Sequence, residues 1–181
     1  NIMKTTHEIC IFVCGLFVLQ TVLTAREISP LPAECYNPSG DSCHWYHECL
    51  EVAYPCQESV DDYGVRYAEK YCTLFGKNYP FFSNKGKEWI NATRKCLQVA
   101  LVPLLRQHLT LTCKEIKNMA FESHAECYVR PSPTVSFCSI KQDWLTIFWT
   151  TKQAFVDSTR SSLKLLNEVM WRCSQRQSLY R

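Results

Sequence analysis

Twelve cysteines stand in this chain of 181 residues, and their placement limits what it can fold into more than any other feature. Cys10 and Cys14 fall inside an N-terminal apolar run, leaving ten: Cys35, Cys43, Cys49, Cys56, Cys72, Cys96, Cys113, Cys127, Cys138 and Cys173. An even set in an exported chain predicts five intramolecular disulfides. Zinc ligation is the competing reading, and the absence of any C-x-x-C pair argues against it. Ten cysteines admit about 945 pairings, nine times the 105 open to eight, so the count predicts staples without choosing partners. Apolar residues make up 46% of the chain, enough for one buried core, which excludes disordered and low-complexity classes.

The N-terminal run has the layout of a cleavable secretory signal. Met3-Lys4 supply a basic start, Ile9 to Leu19 an apolar centre, and Ala25 a small residue at the exit. The apolar centre is shorter than the roughly 20 residues needed to span a bilayer, so a membrane anchor is the weaker alternative. The reading is therefore a signal over residues 1–25 and a single disulfide-rich domain over 26–181, secreted, with its core at about 35–173. No membrane span is expected. A net charge of +3 with dispersed basic residues lacks the clustering that nucleic-acid binding requires.

Beyond the signal, helical periodicity dominates the chain. Ser42–Tyr54 spaces Trp45, Cys49, Val52 and Ala53 at three to four residues, and Tyr63, Tyr67, Tyr71 and Phe75 form an i+4 stripe. Ser83 is placed to cap a long helix over about Lys85–Leu109, which Pro103 is expected to bend. A further helix is expected over Cys113–His124. Ser139 with Gln142 reads as a capping box for the next helix, which carries Trp144, Phe148, Trp149 and Phe155. The last helix holds Leu163, Leu166, Val169, Met170 and Cys173. Alternating patterns are short-lived throughout, so the expected fold is all-α: a disulfide-stapled helical domain of about five to six helices.

Few residues invite a catalytic reading. In Cys43-His44-Trp45-Tyr46-His47-Glu48-Cys49, a histidine beside an acid resembles the active-site helix of secreted phospholipases A2. That chemistry also needs a glycine-rich calcium loop, and Gly40 stands alone here, so two surface histidines beside structural cysteines is the better account. His44 and His47 at i, i+3 make too few ligands for a metal site, and none is assigned. His108 and His124, near helix ends, are read as solvated or favoured by the helix dipole. Asp61-Asp62 precede the Tyr63 helix and are assigned to its N-terminus rather than to a carboxylate pair. No Ser–His–Asp order, phosphate loop or H-E-x-x-H is present. The chain is read as a non-enzyme without cofactor.

The cysteine ladder, with successive gaps of 8, 6, 7, 16, 24, 17, 14, 11 and 35, resembles that of the stanniocalcins, secreted helical glycoprotein hormones. Gly86-Lys87-Glu88-Trp89-Ile90 leading to Lys95-Cys96-Leu97 is similar to a family segment, as are Cys127-Tyr128 and Cys138-Ser139-Ile140. The resemblance covers about Cys35 to Cys173. It implies the pairs Cys35–Cys49, Cys43–Cys72, Cys56–Cys113, Cys96–Cys127 and Cys138–Cys173. It also implies a hormone or regulator connected with calcium and phosphate balance, acting on an extracellular protein partner, either a receptor or a secreted metalloprotease of the pappalysin kind. The family's additional cysteine, which links its homodimers, has no counterpart here, so a covalent homodimer is not expected. The family's longer C-terminal tail and its glycosylation site near the fourth cysteine are missing too. The alternatives are a phospholipase-like enzyme using His47 and Glu48, or a gland-secreted toxin-like effector.

Asn91-Ala92-Thr93 is an N-glycosylation sequon, whereas Asn37-Pro38-Ser39 is blocked by its proline. The secreted protein is expected to lose apparent mass on treatment with an N-glycosidase, and Asn91→Gln to abolish that shift. An unchanged mobility would remove Asn91 as a glycan site.

Overall fold

The computed structural model describes residues 31–106 and 109–178, and the proposed signal, residues 1–25, lies outside them, as does His108. The described chain is all-α. Among the described residues there is no strand, and no helix is long and apolar enough to cross a membrane.

Seven helices follow one another among the described residues: α1 (Tyr46–Glu51), α2 (Gly64–Glu69 running on into Lys70–Asn78), α3 (Asn84–Arg106), α4 (Cys113–Val129), α5 (Trp144–Thr151), α6 (Ala154–Asp157) and α7 (Thr159–Ser178). Short 3-10 turns at Ala33–Tyr36, Tyr79–Phe81, Phe137–Ser139 and Lys141–Asp143 join them. One more helix appears than the periodicity suggested, because the apolar stretch after Trp144 divides into α5 and α6. At the break Thr150 and Thr151 donate their hydroxyls back to the Thr146 and Ile147 carbonyls, at 2.7 and 2.9 Å. Such back-bonding competes with continuation of the helix.

α1 and the first part of α2 are π-wound, with Ala68 N–H donating to the Tyr63 carbonyl five residues back at 2.8 Å. In an α-helix an i+4 stripe drifts by about 40° per step, whereas the wider π turn brings i and i+4 nearly into line. Tyr63 and Tyr67 are held to one face in this way, and Tyr71 follows in the α-wound part of α2. Asp62 caps the segment, its two carboxylate oxygens accepting from the Val65 and Arg66 N–H groups at 3.0 and 3.2 Å. Asp61 instead pairs with Lys117 of α4 at 2.9 Å.

Five disulfides fasten these elements: Cys35–Cys49, Cys43–Cys72, Cys56–Cys113, Cys96–Cys127 and Cys138–Cys173. They are the pairs that the resemblance implies. Three tie the N-terminal segment to itself, to α2 and to α4; the fourth joins α3 to α4, and the fifth joins the Phe137–Ser139 turn to α7. Polar contacts reinforce the first group, with Trp45 Nε1 donating to the Cys35 carbonyl at 3.2 Å and Gln98 Nε2 to the Ser42 carbonyl at 2.7 Å. Gly40 takes a left-handed backbone (φ 90°), and a Cβ there would lie 2.7 Å from the Lys95 backbone, so the turn against α3 needs glycine.

α3 begins where Ser83 Oγ accepts from the Gly86 N–H at 3.0 Å, as its capping role predicts. The helix carries Pro103 within it and continues to Arg106. α4 extends past His124 to Val129 and starts from a capping box of Thr112 and Glu115. The box expected at Ser139 and Gln142 does not form. Gln142 Nε2 donates to Ser83 Oγ at 3.3 Å, and the Ser139 hydroxyl donates to the Ser136 carbonyl at 2.7 Å. Two core clusters result, one around Trp45, Tyr46, Tyr63 and Leu101, the other around Trp89, Ile90, Ile140 and Val169.

The buried Asp143 carboxylate accepts the Ser83 N–H at 2.8 Å and its hydroxyl at 2.6 Å, and it lies against Gly86. A Cβ on Gly86 would come within 2.7 Å of that carboxylate, whereas one on Gly76 would meet only the tip of Arg94 at 4.0 Å. Gly86→Ala is therefore expected to destabilise by about 1–3 kcal/mol through overpacking. Gly76→Ala, inside α2, is expected to stabilise by about 0.5–1 kcal/mol. Urea titration of both variants checks the opposite signs.

Candidate functional site

Where the two core clusters meet, the side chains leave a cavity of about 300 Å³. Its walls come from four directions. α2 and the residue before it present Tyr63, Tyr67, Tyr71 and Phe75, the i+4 stripe. α3 presents Trp89, Thr93 and Arg94. α4 presents His124 and Tyr128, and α5 to α7 close the far side with Ile147, Phe155 and Val169. The rings pack against one another in edge and tilted contacts, with centroids 4.7 Å apart for Tyr67–Tyr71 and 5.7 Å for His124–Tyr128.

Most polar groups on this wall are already engaged. The Tyr63 hydroxyl is 3.3 Å from His124 Nε2, and the Tyr71 hydroxyl donates to Asp157 Oδ2 at 3.1 Å. Trp89 Nε1 donates to the Tyr128 carbonyl at 2.9 Å. Burial raises the tyrosines: Tyr67 is pushed up to about 12, and Tyr46, Tyr63 and Tyr128 rise further for the same reason. Asp157 moves the other way, held below the usual carboxylate range chiefly by its hydrogen bond from Lys70 at 2.6 Å.

His124, which its sequence position suggests is a solvated helix-end residue, is instead 3% exposed, surrounded by Tyr63, Tyr67, Phe121 and Tyr128. Burial lowers its pKa to about 4, with the Phe121 backbone opposing. The neutral imidazole is held between the Tyr63 hydroxyl, at Nε2, and the Phe121 backbone. The correction follows from helix geometry: α4 continues beyond His124, which shares a face with Ala120 and Cys127 rather than ending the helix.

The other sequence candidates are dispersed. His47 and Glu48 are exposed on α1, and His47 Nδ1 lies 3.1 Å from Gln57 Nε2. His44 pairs with Glu69 at 2.8 Å. The two histidines thus face different partners, and among the described residues no cluster of three or more histidine, cysteine or acidic side chains is arranged for a metal ion. Asn91 is exposed on α3, its amide donating to the Tyr79 hydroxyl at 2.9 Å. No family model matches the chain, nor does any curated protein or solved structure.

Periodicity accounts for the tyrosine stripe as a helix face but does not show the cavity it lines. Arg94 escapes sequence reasoning too, although a signal is present: it sits four residues after buried Ile90 and seven before buried Leu101, an arginine on an inward-facing edge of α3.

His124 sets a pH dependence with a definite sign. Its ordinary unfolded pKa is about 6.5, so between that value and the folded value of about 4 the unfolded chain binds the extra proton. Stability is complete above pH 6.5 and falls as pH drops toward 4. The surrounding tyrosines stay neutral across this window. Lowering pH from 7.5 to 5 is expected to cost about 2 kcal/mol, and His124→Phe to flatten that slope. Urea unfolding at the two pH values measures both.

Proposed function

We propose that this chain is a secreted, non-enzymatic regulatory protein of the stanniocalcin type, acting by binding an extracellular protein. The observation that supports the reading is the disulfide set: of roughly 945 pairings open to ten cysteines, the structure has the five that the resemblance implies. Bridges of this number belong to an oxidising compartment, which agrees with a signal over residues 1–25. A scaffold held by five cross-links loses little conformational freedom when it binds, so its surface contacts convert more fully into affinity.

Two exposed tryptophans, one on α5 and one on α7, are suited to contact with a protein partner. Trp149 and Trp171 are 57% and 58% exposed, and Lys152 Nζ stands 4.4 Å above the Trp149 ring. Tryptophan is among the residue types that carry most binding energy at protein interfaces, and at Trp149 a cation lies over the ring. The action of some members of that family on secreted metalloproteases of the pappalysin kind makes such an enzyme the partner to test first, with a calcium- or phosphate-linked receptor second.

The purified secreted protein is expected to bind and inhibit a pappalysin-type metalloprotease, and Trp149→Ala to weaken that binding about tenfold or more. Absence of both inhibition and specific binding to receptor-bearing cells would overturn the reading. Calcium-dependent lipid hydrolysis lost in His47→Ala would replace it with the phospholipase-like alternative.

A further inference from the structure

We infer that the aromatic cavity binds a small amphipathic carboxylate, its apolar body among the α2 tyrosines and its head group on Arg94. Three features of the cavity converge on this class. Its volume of about 300 Å³ is at the lower end of ligand sites. It is roughly twice the 150 Å³ at which an apolar protein cavity already admits benzene, which suits a chain of about ten to twelve carbons or a two-ring body. Phe148, Leu166 and Met170 line it while remaining partly in solvent, so an apolar lip leads from the surface inward.

The charge on the wall selects the head group. Among the described residues that line the cavity there is no aspartate, glutamate or lysine, and Arg94 is its one formal charge. His124 is neutral at physiological pH, and the tyrosines, neutral there at their ordinary pKa, are raised further by burial. Arg94 is half-buried, and its guanidinium donates to sulfur atoms: Nε to Cys72 Sγ at 3.2 Å and Nη2 to Cys43 Sγ at 2.7 Å. Disulfide sulfur is a weak acceptor, and none of the ion pairs among the described residues includes Arg94. A partly buried guanidinium without a counter-ion is costly, and its planar fork matches a carboxylate better than any other small anion except phosphate. Phosphate brings more charge than a single guanidinium in an apolar cavity neutralises, so the carboxylate is favoured.

The tyrosine hydroxyls support an apolar body rather than a polar one. Those of Tyr63 and Tyr71 are committed to His124 and Asp157, and Tyr67 is hydrogen-bonded to Ser162. The three α2-side rings therefore offer the ligand faces and edges, not donors. Bound water would find few partners in the same space. This inference does not depend on the protein partner proposed above, because neither Trp149 nor Trp171 lines the cavity.

Isothermal titration of the intact secreted protein with decanoate, below its micelle-forming concentration, and with 1-decanol tests the assignment. Decanoate is expected to bind one to one and at least tenfold more tightly than decanol. Arg94→Gln is expected to remove that preference while keeping decanol binding, and Arg94→Lys to retain part of it. Equal binding of the two ligands to the unaltered protein, or no saturable binding of either, would overturn the inference. Should Arg94→Gln lose its near-ultraviolet circular dichroism, the decanoate–decanol comparison in the unaltered protein and the lysine variant still decide.

Discussion

Five covalent cross-links hold a set of helices that have little reason to persist alone. α1 is a six-residue π turn, α5 has eight residues and α6 four, all well below the roughly 12–15 residues at which an isolated helix becomes even marginal in water. Each bridge removes freedom from the unfolded chain, typically worth about 2–4 kcal/mol. The Cys43–Cys72 and Cys56–Cys113 bridges matter most for the architecture, since they press the irregular N-terminal segment onto α2 and the start of α4. With those ends fixed, short elements survive because the unfolded alternatives are restricted rather than because the elements are strong.

The same constraint leaves room for an imperfect core. Close packing is the norm in protein interiors, and a 300 Å³ cavity represents contacts not made. Here the aromatic rings of α2, α3 and α4 contact one another edge to face around it, and His124 is buried among them. A domain held only by hydrophobic burial tends to collapse such a space. In a cross-linked one the restricted unfolded chain offsets part of the cost of such a space.

Much of the fold was legible because its signals are local. The i+4 tyrosine stripe, the Ser83 cap and the N-terminal role of Asp62 depend on residues a few positions apart, and each stands in the structure. The capping box shows where such reasoning stops. Ser139–Gln142 and Thr112–Glu115 share the same pattern, yet only the second forms. At the first, Gln142 finds Ser83, fifty-nine residues away, across the contact that buried Asp143 makes with the start of α3. Likewise the π winding of α2, the burial of His124 and the position of Arg94 depend on which helices lie alongside, which no local pattern encodes.

Taken alone, then, the residues determined an all-α, disulfide-bonded domain, because parity of cysteines and the period of apolar side chains are properties of the chain itself. The candidate site was decided only by tertiary structure. Tyr67, Arg94, His124 and Phe155 come from four different helices, and their meeting rests on the bridges and on packing between helices distant in sequence. Whether a histidine is wet or dry, or an arginine paired or unpaired, is set by what the rest of the chain places beside it.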